Sequence, residues 1–136
     1  MAKSIKDLIQ AYPQYGSIPS KDTEIKVLYD DEALYIAVYL FDNPNQIKKK
    51  KAFYDDWDGG FENNADYFVV EIDSKHNHKE SYGFAVNSSG VRADYNMYND
   101  ESYIDIVWDA VWTSKVSIHN DGWVIEYKIP FRILKY

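Results

Sequence analysis

The sequence predicts an all-β fold, an antiparallel β-sandwich of jelly-roll-like form with about eight strands, on three observations. Apolar and polar residues alternate with a period of two over short runs. Turn-forming clusters separate those runs at roughly ten-residue spacing. No helical pattern is long enough to supply the crossovers of a parallel sheet. With 136 residues, 46% apolar and 27% charged, the chain has the size and composition of one domain, 1–136, around one core.

The elements follow in order. A short N-terminal helix is expected over 4–12, with Ser4 as N-cap and Ile5, Leu8 and Ile9 on one face. Pro13, Gly16 and Pro19 end it. Over 23–29, Ile25, Val27 and Tyr29 oppose Glu24 and Lys26, the alternation of a half-buried strand. Residues 30–33 turn the chain into 34–41, which is apolar on both faces as a central strand should be, and the two strands form a hairpin. The turn formers at 42–45 precede a strand over 47–54 and a loop over 55–65. Strands at 67–72 and 81–86 are joined by a polar turn, and Gly90 turns the chain into 91–95. A second long loop is expected over 96–110. The strand at 112–118 and the strand at 123–129 flank Asn120-Asp121-Gly122, a hairpin signal. Trp123, Ile125, Tyr127 and Ile129 point inward, and 131–136 starts a helical turn.

Charge and composition exclude several functions. Lys and Arg number 15 against 22 Asp and Glu, a net charge of -7, which disfavours nucleic acid, because counterion release needs clustered cations. The one basic run, Lys48 to Lys51, suits a solvated strand edge. Without cysteine there is no disulfide, no cysteine-ligated zinc and no thiol nucleophile. No apolar run approaches the ~18 residues of a membrane span, and no signal-peptide pattern is visible.

Five segments in order carry a family resemblance: DTEIKVLYDDEALYIAVYLFD, ADYFVVEIDS, YGFAVNSSGVRADY, WDAVWTSKV and DGWVIEYKIPF. Together they resemble the family 9 carbohydrate-binding module, and more closely the version of it that opens a family of bacterial envelope proteins in which a β-barrel follows. The resemblance implies a β-sandwich that binds a polysaccharide or oligosaccharide without chemistry, in the service of polysaccharide breakdown or uptake. It also implies a glycoside hydrolase or a downstream β-barrel domain as partner, calcium as a structural ion, and an extracellular, periplasmic or cell-envelope location. Domains of this type run past the Pro130-Phe131 turn into one more strand, so a domain truncated at its C-terminal strand is expected.

Sugar recognition calls for exposed rings beside planar polar groups, which directs attention to the loops. Trp57, among Asp55, Asp56, Asp58 and two glycines, is either a binding platform or a lid on the sandwich end. Tyr95, Tyr98 and Tyr103 flank the second loop beside Asn96, and each is a sugar contact or loop packing. Trp108 divides in the same way, whereas Trp112 and Trp123 belong to the core. Asn87 and Arg92 flank the turn at Gly90, as sugar ligands or as turn stabilisers. Asp55, Asp56, Asp58 and Asp66 are the densest carboxylates for calcium. His76 and His78 have a spacing that can bind zinc, but no third ligand is evident and a polar turn is the preferred reading. No hydrolase motif is present, so a noncatalytic binding module is expected. A scaffold domain packing on a downstream barrel without a sugar ligand, and a glycoside hydrolase, are the alternatives.

Overall fold

The computed structural model describes residues 4–10, 14–47, 65–98, 103–106 and 108–134. Nine strands run through them: β1 (Ser4–Ile5), β2 (Thr23–Tyr29), β3 (Ala33–Phe41), β4 (Tyr67–Ile72), β5 (Ser81–Asn87), β6 (Arg92–Tyr98), β7 (Tyr103–Asp105), β8 (Thr113–His119) and β9 (Gly122–Pro130). Every pairing is antiparallel. One sheet has the order β1-β2-β3-β9-β8 and the other β4-β5-β6-β7. The expected β-sandwich is therefore the observed architecture.

The core lies where alternating faces of the two sheets meet. Trp123, Ile125, Tyr127 and Ile129 of β9 are buried, as their spacing predicts, while Glu126 and Lys128 between them are exposed. Ile36 and Val38 of β3 continue that face, and Tyr82, Phe84 and Val86 of β5 oppose it. Tyr127 also ties the sheets together: its hydroxyl donates to the Phe68 carbonyl at 3.1 Å and the Phe84 carbonyl at 3.3 Å. Burial pushes its pKa well up, which keeps the hydroxyl protonated as a donor.

The expectations for the chain ends and the second loop need correction. Ser4–Ile5 is a strand, not the start of a helix; it pairs with Lys26 and Ile25, and the Ser4 hydroxyl donates to Glu24 at 2.7 Å. So short a helix is marginal alone, and the edge of β2 offers backbone partners instead. Asn96 and Tyr98 belong to β6, which runs past the expected end at Tyr95, and β7 follows within the span expected to be loop. Val27 and Tyr29 face inward by register, yet they are 37% and 79% exposed among the described residues. The strand expected over 47–54 lies outside the described residues, apart from Ile47, which packs in the core. Phe131–Ile133 forms the expected helical turn, of the tight 3₁₀ kind.

Candidate functional site

Alternation along β6 sends Arg92, Asp94, Asn96 and Tyr98 toward the interior, an unusually polar row for an inner face. Register places Arg92 beside Val86, Asp94 beside Phe84 and Asn96 between Tyr82 and Asp105. Such a row needs partners, since buried polar groups are costly without hydrogen bonds. The chain leading into β8 supplies them. The Trp112 indole N–H donates to Asp94 at 2.8 Å, and the Ala110 amide donates to the same oxygen at 3.3 Å. The Arg92 guanidinium donates to the Trp112 carbonyl and lies 5.3 Å over its ring.

Two indoles cover this row. Trp112 is buried, stacked on Tyr127 at 5.8 Å and edge-on to Phe84 at 5.2 Å. Trp108 is half-buried, against Tyr82 at 5.0 Å and edge-on to Phe84 at 6.0 Å. Because Asn96 pairs across from Tyr82, the partly open Trp108 ring and the Asn96 amide share one corner of the inner face. The Asn96 Oδ1 atom is buried there without a hydrogen-bond partner among the described residues. A ring, an amide and the Asp105 carboxylate beside it form a combination suited to a polyhydroxyl ligand.

The sequence candidates fall into two groups. Arg92, Asn96 and Tyr98 share the inner face of β6; Tyr103 of β7 pairs with Tyr98, and Trp108 lies over the adjoining strand. Asn87 and Tyr95 face the other side of the sheet. Asn87 Oδ1 accepts the Ser89 and Val91 amides at 3.0 and 2.9 Å, closing the turn around Gly90, whose φ is 85°. The Tyr95 ring lies on Gly83, where an added Cβ would overlap it, and its hydroxyl donates to Glu71. Trp57, Asp55, Asp56 and Asp58 lie outside the described residues.

Asp66 is half-buried, and its carbonyl accepts the Ser88 amide at 2.8 Å. Among the described residues no three of His, Cys, Asp and Glu converge on a point that would hold a metal ion, so Asp66 alone makes no calcium cage. The His76 and His78 rings are 5.3 Å apart in a turn where both residues have positive φ and Asp73 accepts the Asn77 and His78 amides. Asp94 and Asp105 escaped the sequence reading. The signal for Asp94 was the two-residue alternation of 92–98, which becomes visible once β6 is carried through Tyr98, whereas Asp105 is placed by the pairing of β7 with Asn96.

A family model described as carbohydrate family 9 binding domain-like matches residues 5–135. Among solved structures, a carbohydrate binding module family 9 from Caldicellulosiruptor kristjanssonii in complex with glucose is similar, with a TM-score of 0.57 and 15% identity. The match covers 84% of this chain and 52% of that one, so this chain spans about half the length of that module's chain. At that identity the likeness is one of fold. No curated protein is matched by the sequence.

Proposed function

Since the chain belongs to the carbohydrate family 9 binding domain-like family, we propose that it is a noncatalytic carbohydrate-binding module. Its sugar site is the inner-face corner formed by Asn96, Tyr98, Asp105 and Trp108, with Arg92 bracing Trp112 behind it; Trp57 and Tyr103 are further sugar contacts proposed from the sequence alone. The observation that carries this is the buried Asn96 Oδ1, without a hydrogen-bond partner among the described residues, beside the half-exposed Trp108 ring. A sugar hydroxyl would satisfy the amide while the pyranose C–H face meets the indole. The glucose of the related module's complex makes glucose the first ligand to try. The wider role follows the family: an extracellular module accessory to polysaccharide breakdown, attached to a hydrolase or a β-barrel domain. Calcium held by Asp55, Asp56, Asp58 and Asp66 is part of the same proposal, supported by their density in the sequence.

Calorimetric titration with glucose and a panel of oligosaccharides, with and without calcium, tests this. Asn96→Ala is expected to weaken binding roughly tenfold with the melting temperature unchanged, since the lost oxygen has no hydrogen-bond partner among the described residues. Trp57→Ala is expected to abolish binding and leave the fold intact; unfolding would assign Trp57 to the core. Chelation should lower the melting temperature if the carboxylates hold calcium. Failure of every glycan in both conditions rejects the reading.

A second reading, a scaffold domain, has one observation in its favour. Val27, Leu28 and Tyr29 are exposed on β2 beyond the two residues that β1 pairs. Concentration-dependent self-association in sedimentation, removed by Tyr29→Lys, would support it.

A further inference from the structure

The outer face of the five-stranded sheet carries a groove unrelated to the corner described above. On β3 the outward positions are Tyr35, Ala37 and Tyr39, so a methyl group stands between two phenol rings. Register extends the row at Ala37 sideways, to Lys26 on β2, then to Glu126 on β9 and Lys115 on β8. The neighbouring row places Lys128 beside Tyr35, with its ammonium 5.9 Å over the ring. Long side chains around the small Ala37 leave a groove of about 430 Å³, within the usual range for ligand sites. A smaller hollow continues it past Ala37 to Tyr39. From Tyr35 to Tyr39 the strand advances about 13 Å, room for a short oligosaccharide.

The charge of this groove opposes that of the chain. Three lysines face Glu126 in the groove, with Glu24 at the hollow that continues it, in a protein of net charge -7. Among the described residues neither Lys115 nor Lys128 has a carboxylate within salt-bridge distance, and Lys26 reaches only Glu24, at 3.9 Å. Both rings are fixed from behind, Tyr35 by Asp30 at 2.8 Å and Tyr39 by Asp121. They are therefore preordered faces, not mobile side chains. Strands β3 and β9, which form the groove floor, are interior to the sheet, so that floor offers no free backbone edge for an extended peptide to pair with. Recognition here must come from ring faces and ammonium groups. We propose that this groove binds an anionic oligosaccharide, the lysines pairing with its carboxylates or sulfates and Tyr35 and Tyr39 contacting its pyranose faces.

The experiment is titration of the full chain with oligogalacturonate, with a neutral galactan oligomer of similar length, with dextran sulfate and with polyglutamate. Oligogalacturonate or dextran sulfate is expected to bind, which of the two identifying the acidic group, and the affinity should fall with added salt. Lys115→Gln with Lys128→Gln should weaken that binding roughly tenfold, as loss of two exposed ion pairs would. Ala37→Gln, which fills the floor, should do the same, while Lys75→Gln in a distant turn should not. Asn96→Ala should leave acidic-glycan binding intact, and the double lysine variant should leave neutral-sugar binding intact, which separates this groove from the inner-face corner. Equal affinity for the neutral oligomer, tighter binding of polyglutamate, or an unchanged double lysine variant would overturn the proposal.

Discussion

Asp94 shows how one residue sets the geometry of the inner face. It is fully buried, and the hydrogen bond from the Trp112 indole fixes both the carboxylate and the chain entering β8. Trp112→Phe keeps a ring in place but removes the donor from a buried carboxylate. The expected loss is about 1–3 kcal/mol, read as a lowered denaturant midpoint with an unchanged slope. Tyr127→Phe should cost less, about 1 kcal/mol, because its hydroxyl is neutral and its two contacts are long, at 3.1 and 3.3 Å. An equal loss in the two variants would deny the buried carboxylate its special dependence. Alternation alone marks Trp112 and Tyr127 as core. The bond between Trp112 and Asp94 joins residues of different elements, and no local pattern announces it.

At the level of elements, legibility follows how local the cause is. The β2–β3 and β8–β9 hairpins are readable because their turns and alternation lie within a few residues. In the latter, Gly122 also abuts β3, where it pairs with Phe41 at a φ of 155° and an added Cβ would press on the Leu40 carbonyl. Gly122→Ala should therefore destabilise the fold by about 1–3 kcal/mol, because the added methyl meets both the positive φ and the Leu40 carbonyl. By contrast, β1 exists because the edge of β2 offers Ile25 and Lys26 as partners, and the amphipathic spacing of Ile5, Leu8 and Ile9 points elsewhere. The last residues of β6 are similar. Asn96 disfavours strands, yet β5 and β7 pair Asn96 and Met97 from both sides and β7 pairs Tyr98. This is why Asn96 and Tyr98 read as loop residues, and why the polar row they complete stays hidden.

For the whole molecule, five dispersed segments identify the family where no single strand would, and the same dispersal scatters carboxylates into the turns. Three carboxylates, two in turns and Glu24 on β2, are held below their ordinary pKa. Asp30 accepts the Glu32 and Ala33 amides and the Tyr35 hydroxyl; Asp73 accepts the His78 and Asn77 amides; Glu24 accepts the Ser4 hydroxyl beside Lys6 and Lys26. A carboxylate with a lowered folded pKa contributes stability above its unfolded value and loses it as pH falls through the folded value. Stability should thus be nearly level from neutral pH to about pH 5 and decline below about pH 4. Acidification through the pI near 4.8 also removes the net charge of -7, so solubility should be lowest in that interval. Asp30→Asn removes the charge but keeps an oxygen for the Glu32 and Ala33 amides that build the turn, while its NH2 takes the place of the oxygen that accepts the Tyr35 hydroxyl. It should be less stable than the parent at pH 7 and converge with it in acid, as followed by denaturant unfolding across a pH series. If the two curves stay parallel into acid, the Asp30 charge does not couple to folding, and acid sensitivity must arise at other carboxylates.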